Sequence, residues 1–452
     1  MLRCGLLGET LGHSYSPMIH HELGEYDYRL FEVSKEDLDA FLCSDRWDGL
    51  NVTIPYKKAV VPYCVELSEA AAKLQSVNTL VRRPDGTLYG DNTDLFGFLY
   101  MVRSSGIDPA GKKALVLGSG GASVTVKAAL EQLGADVTVI SRSGPDDYDH
   151  LDRHADAQII ANTTPVGMYP TVKAALEQLG ADVTVISRSG PDDYDHLDRH
   201  ADAQIIVNTT PVGMYPHNGA AAVDLRLFPQ CEGVLDIVYN PARTALLLQA
   251  EELGIPHAGG LSMLVAQAKR SSEQFTGTVI GDEALARVER AVNQRLRNII
   301  LIGMPGSGKS AVAAALGKAL GREVVEADEL ISQRTGMSIP EIFARSGEET
   351  FRKLETEVLA EQGKRSGIIL STGGGCVTRP ENYPLLHQNG TIFRLTRDLA
   401  KLPTEGRPIS QATDLAQLCA RREPLYRRFA DVTVSNDGAL EVTVQTIKEA
   451  LL

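Results

Sequence analysis

The chain runs to 452 residues, of which 43% are hydrophobic and 23% charged, with a net charge of -13. Such a length favours two or three domains with sizeable cores, and the composition is that of a soluble globular protein rather than a disordered one. The acidic balance argues against nonspecific nucleic-acid binding, which needs clustered Lys and Arg, so any anionic ligand has to be captured by local positive groups.

An apolar run, Leu2–Leu7, breaks at Gly8 and leads into GHSYSPMIHHEL, which reads as strand, loop and helix start. Ser14 and Ser16 precede Pro17, a residue favoured in a helix's first turn because its missing N–H has no helical partner there. The two hydroxyls either cap the helix or form a small anion site beside its free N–H groups. Three short polar clusters follow among apolar residues: GLNVTIPYK with Thr53 and Lys57, SVNTL with Asn78, and GDNTDLFG with Asp94. Taken singly, each is an ordinary turn, cap or solvated surface group.

KKALVLGSGGASVTVKAALEQLG reads as a buried strand, a glycine turn and a helix ended by Gly134. Gly118, Ser119, Gly120, Gly121 and Ala122 form a turn whose backbone N–H groups can approach a pyrophosphate at the helix N-terminus. The next strand, Asp136–Ile140, ends in Ser141, Arg142 and Ser143. An acid there would suit the ribose of NAD, whereas arginine and serine suit the extra phosphate of NADP. QIIANTTPVGM, with Asn162, is a further strand and loop.

From this point the sequence repeats itself. Thr125–Pro170 recur as Thr171–Pro216 with one difference, Ala161 against Val207, so Arg188 and Asn208 are twins of Arg142 and Asn162. The glycine turn is not copied, so one NADP is expected per dinucleotide-binding unit. Covalent continuity leaves two drawings of the folded unit. In one, the first copy fills the native positions and the second is extruded after Pro170; in the other, Arg142 comes from the first copy and NTTPVGM from the second. We place Arg142 at the cofactor, with Asn162 slightly ahead of Asn208. Either drawing leaves a surplus helix and strands whose apolar residues, such as Val172, Leu176 and Val183, need cover. Burying one such side chain contributes about 1.5 to 3 kcal/mol, so the surplus is expected to lower stability or promote association.

GVLDIVYNP gives a strand and loop with Ile237 and Tyr239, and IPHAGGLSMLVAQAKRSSEQFTG contains Gly260 and Gln267. Taken in order, SxS, NVTxPxK, VNT and GxNTDxxG resemble shikimate dehydrogenase, a likeness covering about the first 290 residues. The resemblance implies that Ser14 and Ser16 bind the substrate carboxylate, that Thr53, Asn78 and Asp94 hold the ring hydroxyls, and that Tyr239 and Gln267 also touch substrate. It makes Lys57 and Asp94 the catalytic pair and puts the NTTPVGM loop, Ile237 and Gly260 near the nicotinamide. The chemistry agrees, because ketone reduction develops negative charge on oxygen, which a positioned ammonium stabilises and protonates. The segment order implies a substrate domain from both ends, 1–105 and 242–292, around an NADP-binding Rossmann-like domain, 106–241.

DEALARVERAVNQRLRN reads as a charged helix, and NIILIGMPGSGKSAVAAALGKAL then gives strand, GxxxxGKS and helix. In that loop Gly303, Gly306, Ser307, Gly308 and Ala311 let the backbone wrap a phosphate, Lys309 reaches the terminal phosphates of ATP, and Ser310 can ligate Mg2+. From Asn298 to the end the chain resembles shikimate kinase through EADELISQRTG, GEETFRKLE, STGGGCV, EGRPIS and RREPLY. By that resemblance Asp328, Arg352, Gly374 and Arg422 hold shikimate, Lys309 and Asp328 act in catalysis, and Arg407 lies on a lid over the phosphates. One departure stands out, since Glu326 occupies a position where the family usually has aspartate, next to the magnesium.

The expected architecture is therefore α/β: a two-domain dehydrogenase, with an α/β substrate domain and a Rossmann-like NADP domain, followed by a P-loop kinase α/β/α domain at 297–452. The expected function is a fused enzyme that reduces 3-dehydroshikimate with NADPH and then phosphorylates shikimate from MgATP. The competing expectation is a working kinase whose dehydrogenase half the repeat has disabled, leaving a binding or scaffold module. Preference for quinate over shikimate depends on pocket shape and stays open. Scattered cysteines without a CxxC pair, no signal-peptide pattern and no long apolar run lead us to expect a reduced, cytoplasmic chain with small-molecule partners, binding neither nucleic acid nor membrane. Oligomeric state stays open.

Overall fold

The computed structural model describes residues 1–12, 14–108, 113–117, 160–161, 178, 180, 182–186, 201–399 and 415–451. The sequence assignments at Gly118, Ser119, Gly120, Gly121, Ala122, Ser141, Arg142, Ser143, Asn162, Arg188 and Arg407 lie outside the described residues. Two compact units emerge, the first comprising Met1–Met214, Ala220–Tyr239 and Leu246–Val292, and the second Tyr215–Gly219, Asn240–Ala245 and Asn293–Leu452.

The first unit contains two sheets. One is built from β1 (Arg3–Gly8), β2 (Asp27–Glu32), β3 (Gly49–Val52), β4 (Glu66–Leu67), β5 (Thr79–Arg82) and β6 (Leu88–Asp91), in the order β2-β1-β3-β5-β6-β4. β1 runs parallel to β2 and β3, whereas β5 is antiparallel to both β3 and β6. Continuous burial along β3 and most of β1 is what apolar runs covered on both faces produce. Trp47, Leu50, Val52, Tyr56 and Leu80 belong to the core on this sheet. The helices Asp94–Ser105 and Leu261–Thr276 pack against each other, although 155 or more residues separate them in sequence. Their contact joins segments from the two ends of the unit.

The second sheet uses β7 (Lys113–Leu117), β8 (Ile160–Ala161), β9 (Asp182–Ile186), β10 (Ile205–Asn208), β11 (Gly233–Asp236) and β12 (His257–Gly259). Its order is β12-β11-β10-β7-β8, with β9 also on β7, and the pairings are parallel. β9 and β10, both from the second copy, pair with β7 over five and four residues, whereas first-copy β8 pairs over two. Leu115 and Val116 are register partners of both β8 and β9, so strands of the two copies claim the same stretch of β7. This differs from the drawing in which the first copy fills the native positions. Connectivity supplies the reason, since only the second copy's last strand runs directly on to β11. Membership of the sheet also continues to β12, beyond the boundary at 241 read from sequence, and the chain returns to the first sheet only with the helix at Leu261.

The second unit holds a five-stranded parallel sheet of β13 (Asn298–Gly303), β14 (Val324–Glu326), β15 (Ile369–Ser371), β16 (Gly390–Thr396) and β17 (Val432–Ser435), in the order β14-β15-β13-β16-β17. β13 is buried along its whole length, and apolar clusters cover both faces of the sheet. Residues 304–308 connect β13 to the helix Lys309–Leu320, as the GxxxxGKS spacing predicts. No helix among the described residues is long and apolar enough to cross a membrane.

Candidate active sites

In the first unit, β3 ends at Val52 and a turn beginning at Thr53 carries Lys57 inward, where its carbonyl accepts from Val77 N–H at 2.8 Å. The Lys57 ammonium meets Asp94 Oδ2 at 2.8 Å, with the two side chains 9% and 5% exposed. Asp94 opens its helix next to Asn78, which lies just before β5. Thr93 N–H donates to Asn78 Oδ1 at 2.7 Å, and this backbone donor fixes which way the amide faces. Asn78 Nδ2 therefore donates to Asp94 Oδ1 at 2.9 Å, so each carboxylate oxygen has its own donor.

Gln267 completes the cluster, its Oε1 lying 3.4 Å from Asn78 Nδ2 and from Thr93 Oγ1. It can do so because residue 97 is glycine. A Cβ there would stand 2.5 Å from the Met263 carbonyl oxygen and 3.0 Å from Gln267 Cβ, forcing the two helices apart. Behind these groups Ser271 donates to the Gln267 carbonyl at 2.9 Å and lies 2.9 Å from Thr79 Oγ1 and 3.2 Å from Thr93 Oγ1. Sequence reading missed this support, because isolated serines and threonines carry no pattern of their own.

At the serine turn, Tyr15 is the N-cap of the helix Ser16–Leu23 and no side chain caps it. Ser14 Oγ accepts from Ser16 N–H at 3.2 Å, and Ser16 is buried. Ser14 thus satisfies the first N–H of the helix, while the Ser16 hydroxyl is left without a capping role at the Tyr15 N-cap. Tyr239 packs on Tyr15 with ring centroids 5.3 Å apart, and burial, reinforced by Tyr15, raises its pKa. Tyr239 thereby stands beside the serine turn.

On the sheet of β7, Asn208 Nδ2 donates to the fully buried Asp236 at 3.0 Å, and the same carboxylate oxygen accepts from Val238 N–H at 3.0 Å. Ile237 N–H donates to the Asn208 carbonyl at 3.1 Å, and Gly260 N–H donates to the Val238 carbonyl at 3.1 Å. A Cβ on Gly260 would collide with the Ile237 carbonyl, so the close approach needs glycine. Asp236 was not singled out from sequence, yet it ties the NTTPVGM loop to the segment bearing Ile237 and Tyr239. These groups sit at the carboxyl ends of parallel strands, where open α/β sheets bind dinucleotides.

In the second unit a cavity of about 470 Å³ opens over the phosphate loop. Gly303, Gly306 and Gly308 have φ of 147°, 88° and 92°, conformations that favour glycine. Lys309 Nζ donates to the Gly303 and Met304 carbonyls at 3.0 and 3.2 Å. Ser310 Oγ donates to Glu326 Oε2 at 3.1 Å, and loss of hydration raises the Glu326 pKa against the hydrogen bonds from Ser371 and Ser310. The longer glutamate thus reaches the Ser310 hydroxyl. Asn436 Nδ2 donates to the Ser307 carbonyl at 2.8 Å and braces the loop, a role no sequence pattern signalled.

Opposite the loop, Arg352 donates to Glu355 at 2.6 Å and to Glu348 at 3.1 Å, with Glu355 fully buried. Burial raises the Glu355 pKa and the Arg352 charge opposes the rise. Its three-residue spacing from Arg352 on one helix was the signal available in the sequence. Arg422 donates to the Gly374 carbonyl at 3.0 Å. The glycine triplet has a steric origin: a Cβ at Gly373 would collide with Glu355, one at Gly374 would lie 2.7 Å from Pro305, and one at Gly375 would collide with Arg352. Asp328 is exposed to the cavity, whose surrounding walls cost its carboxylate hydration and raise its pKa while Lys309 and Arg352 oppose that.

Fold and sites together define a lysine–carboxylate oxidoreductase of dinucleotide-binding type joined to a P-loop phosphotransferase. The family model for the shikimate dehydrogenase substrate binding domain matches residues 6–80, and that for shikimate kinase matches residues 305–452. The chain is 38% identical over 296 residues to the shikimate dehydrogenase (NADP(+)) of Oleidesulfovibrio alaskensis, covering 60% of this chain and 87% of that protein. It is 42% identical over 164 residues to the shikimate kinase of a Synechococcus species, covering 34% of this chain and 83% of the relative. Among solved structures, a chorismate mutase/shikimate 5-dehydrogenase fusion protein from Clostridium acetobutylicum superposes with a TM-score of 0.51 at 31% identity, over 64% of this chain and 96% of that one. The chain belongs to the shikimate dehydrogenase family in its N-terminal part and to the shikimate kinase family in its C-terminal part.

Proposed function

We propose that this chain catalyses two consecutive steps, NADPH-dependent reduction of 3-dehydroshikimate to shikimate and ATP-dependent phosphorylation of shikimate to shikimate 3-phosphate. The observation that carries the reading is the coexistence in one chain of the buried Lys57–Asp94–Asn78 cluster and the phosphate-loop cavity lined by Asp328, Arg352 and Arg422. NADPH, when bound, supplies the hydride. Lys57 donates the proton to the developing alkoxide, and Asp94, held by Asn78, keeps the ammonium directed. Ser14, Ser16 and Tyr239 take the substrate carboxylate end, and Thr53, Asn78, Asp94 and Gln267 take the ring hydroxyls. Asn208, Ile237 and Gly260 line the nicotinamide side.

For the cofactor loop we assign Asn208 rather than Asn162, because β10 sits between β7 and β11 with Asn208 at its carboxyl end. The tandem repeat then acts as a surplus beside a single cofactor site. In the kinase, Lys309 and the loop amides hold the phosphates, and Ser310 with Glu326 holds Mg2+. Arg352, Gly374 and Arg422 hold shikimate, and Asp328 accepts the hydroxyl proton. Positioning and charge stabilisation supply most of the catalysis in such a site. The Lys57, Asn78, Asp94 and Gln267 cluster outside the repeat fits a binding module as well as an enzyme, and it is the relatives, named for both activities, that favour a working dehydrogenase. NADP-dependent oxidation of shikimate by the full chain tests the reading: steady turnover supports it, and shikimate binding without NADPH formation would revive the scaffold.

A further inference from the structure

The cavity over the phosphate loop contains one more cation, and its bonding differs from that of its neighbours. Arg397 directly follows β16, whose Leu395 is the register partner of Gly303, the residue where the phosphate loop begins. It therefore leaves the sheet at the carboxyl end of the strand beside β13, where ligands of parallel sheets collect. Its side chain lines the same cavity as Gly308, Lys309 and Ser310. Nη1 lies 3.9 Å from the point a Cβ on Gly308 would occupy.

Arg352 is held by Glu355 and Glu348, and Arg422 by the Gly374 carbonyl, so both are committed to the glycine-triplet side of the cavity. Arg397 stands at Gly308 instead, and its buried Nε has no acceptor among the described residues. A buried guanidinium N–H without an acceptor is costly, and the cost is removed when a ligand supplies one. The neighbouring Asn436 is already engaged with Ser307 and Thr443, so it does not compete for the same ligand atom. A planar guanidinium is matched to the oxygens of a phosphate chain lying on the loop.

We propose that Arg397 is a nucleotide-binding residue of the kinase, taking an anionic oxygen of the phosphate chain from the Gly308 side of the loop. Its role rests on the phosphotransferase reading of this cavity, so unaltered protein must first bind ADP and phosphorylate shikimate; failure there removes that reading, and only the variants address Arg397. In the full chain, R397Q is expected to raise the ADP dissociation constant about tenfold by calorimetry, with R397K between the two. KM for ATP should rise in parallel, while KM for shikimate and inhibition by adenosine stay unchanged. ADP affinity unchanged in both variants overturns the proposal. So does an equal loss of adenosine affinity, which would place the guanidinium on the base, and so does a rise confined to the KM for shikimate. R397K serves where R397Q fails to fold, because it retains a cation on the same backbone.

Discussion

Lys57 and Asp94 lie 2.8 Å apart in a site that almost excludes solvent, and the other Asp94 oxygen is held by Asn78 at 2.9 Å. A lysine so placed has one direction in which to deliver a proton. Lys57→Ala is expected to lower dehydrogenase turnover by about 10²–10⁴-fold, the range for loss of a positioned general acid. The KM for shikimate should move far less, and kinase turnover not at all. Steady-state kinetics of both reactions check this; a change confined to KM would assign Lys57 to binding alone.

Gly97 is expected to be as sensitive as the groups that touch substrate. Gly97→Ala drives a methyl toward the Met263 carbonyl and Gln267 Cβ, and overpacking of this kind costs roughly 1–3 kcal/mol. It also shifts Gln267 away from Asn78 and Thr93. Thermal unfolding of the first unit together with shikimate KM measures both effects. A variant with unaltered melting and unaltered KM would mean that the helix contact does not set the site.

His20 gives the first unit an acid sensitivity. It is 1% exposed, its Nδ1 lies 2.6 Å from Tyr26 Oη, its ring stacks on Tyr28, and burial pushes its pKa down to about 3. The unfolded chain binds a proton at this residue below its ordinary pKa of 6.5, whereas the folded chain resists it down to about 3. The contribution is therefore complete above 6.5 and is lost as pH falls, with a slope of at most about 1.4 kcal/mol per pH unit. Unfolding followed from pH 7 to pH 4 should show this slope, and His20→Gln should flatten it. Equal pH dependence in both proteins would contradict the assignment.

The repeat is expected to lower stability. Strands of both copies claim Leu115 and Val116 of β7, so one of them is always in excess. Deleting 171–216 leaves one complete copy running into His217, and that shorter chain should melt at a higher temperature with dehydrogenase activity retained. A full-length chain that melts at an equal or higher temperature would show that the second copy has found stabilising cover.

Much of this was legible in the sequence because the chemistry came in ordered motifs. NVTxPxK, VNT and GxNTDxxG identify Lys57, Asn78 and Asp94, and the structure joins them by hydrogen bonds. GxxxxGKS places the phosphate loop after a buried strand, as found. Residues acting through long-range packing were not legible. Asp236, Asn436 and Ser271 are single polar residues whose roles depend on partners 28, 129 and 192 positions away. The glycine triplet was visible, but its reason, the crowding of Glu355, Pro305 and Arg352, exists only in three dimensions. The choice between Asn162 and Asn208 was not legible for a different cause, since two copies that differ only at Ala161 and Val207 give a sequence little ground for preferring one.

The most direct test supplies the full chain with 3-dehydroshikimate, NADPH and MgATP and follows NADPH loss and shikimate 3-phosphate formation together. Both should proceed in the unaltered protein, and Lys309→Ala should halt the sequence at shikimate while NADPH loss continues. Formation of shikimate 3-phosphate only when shikimate itself is added, with no NADPH consumed, would contradict the account.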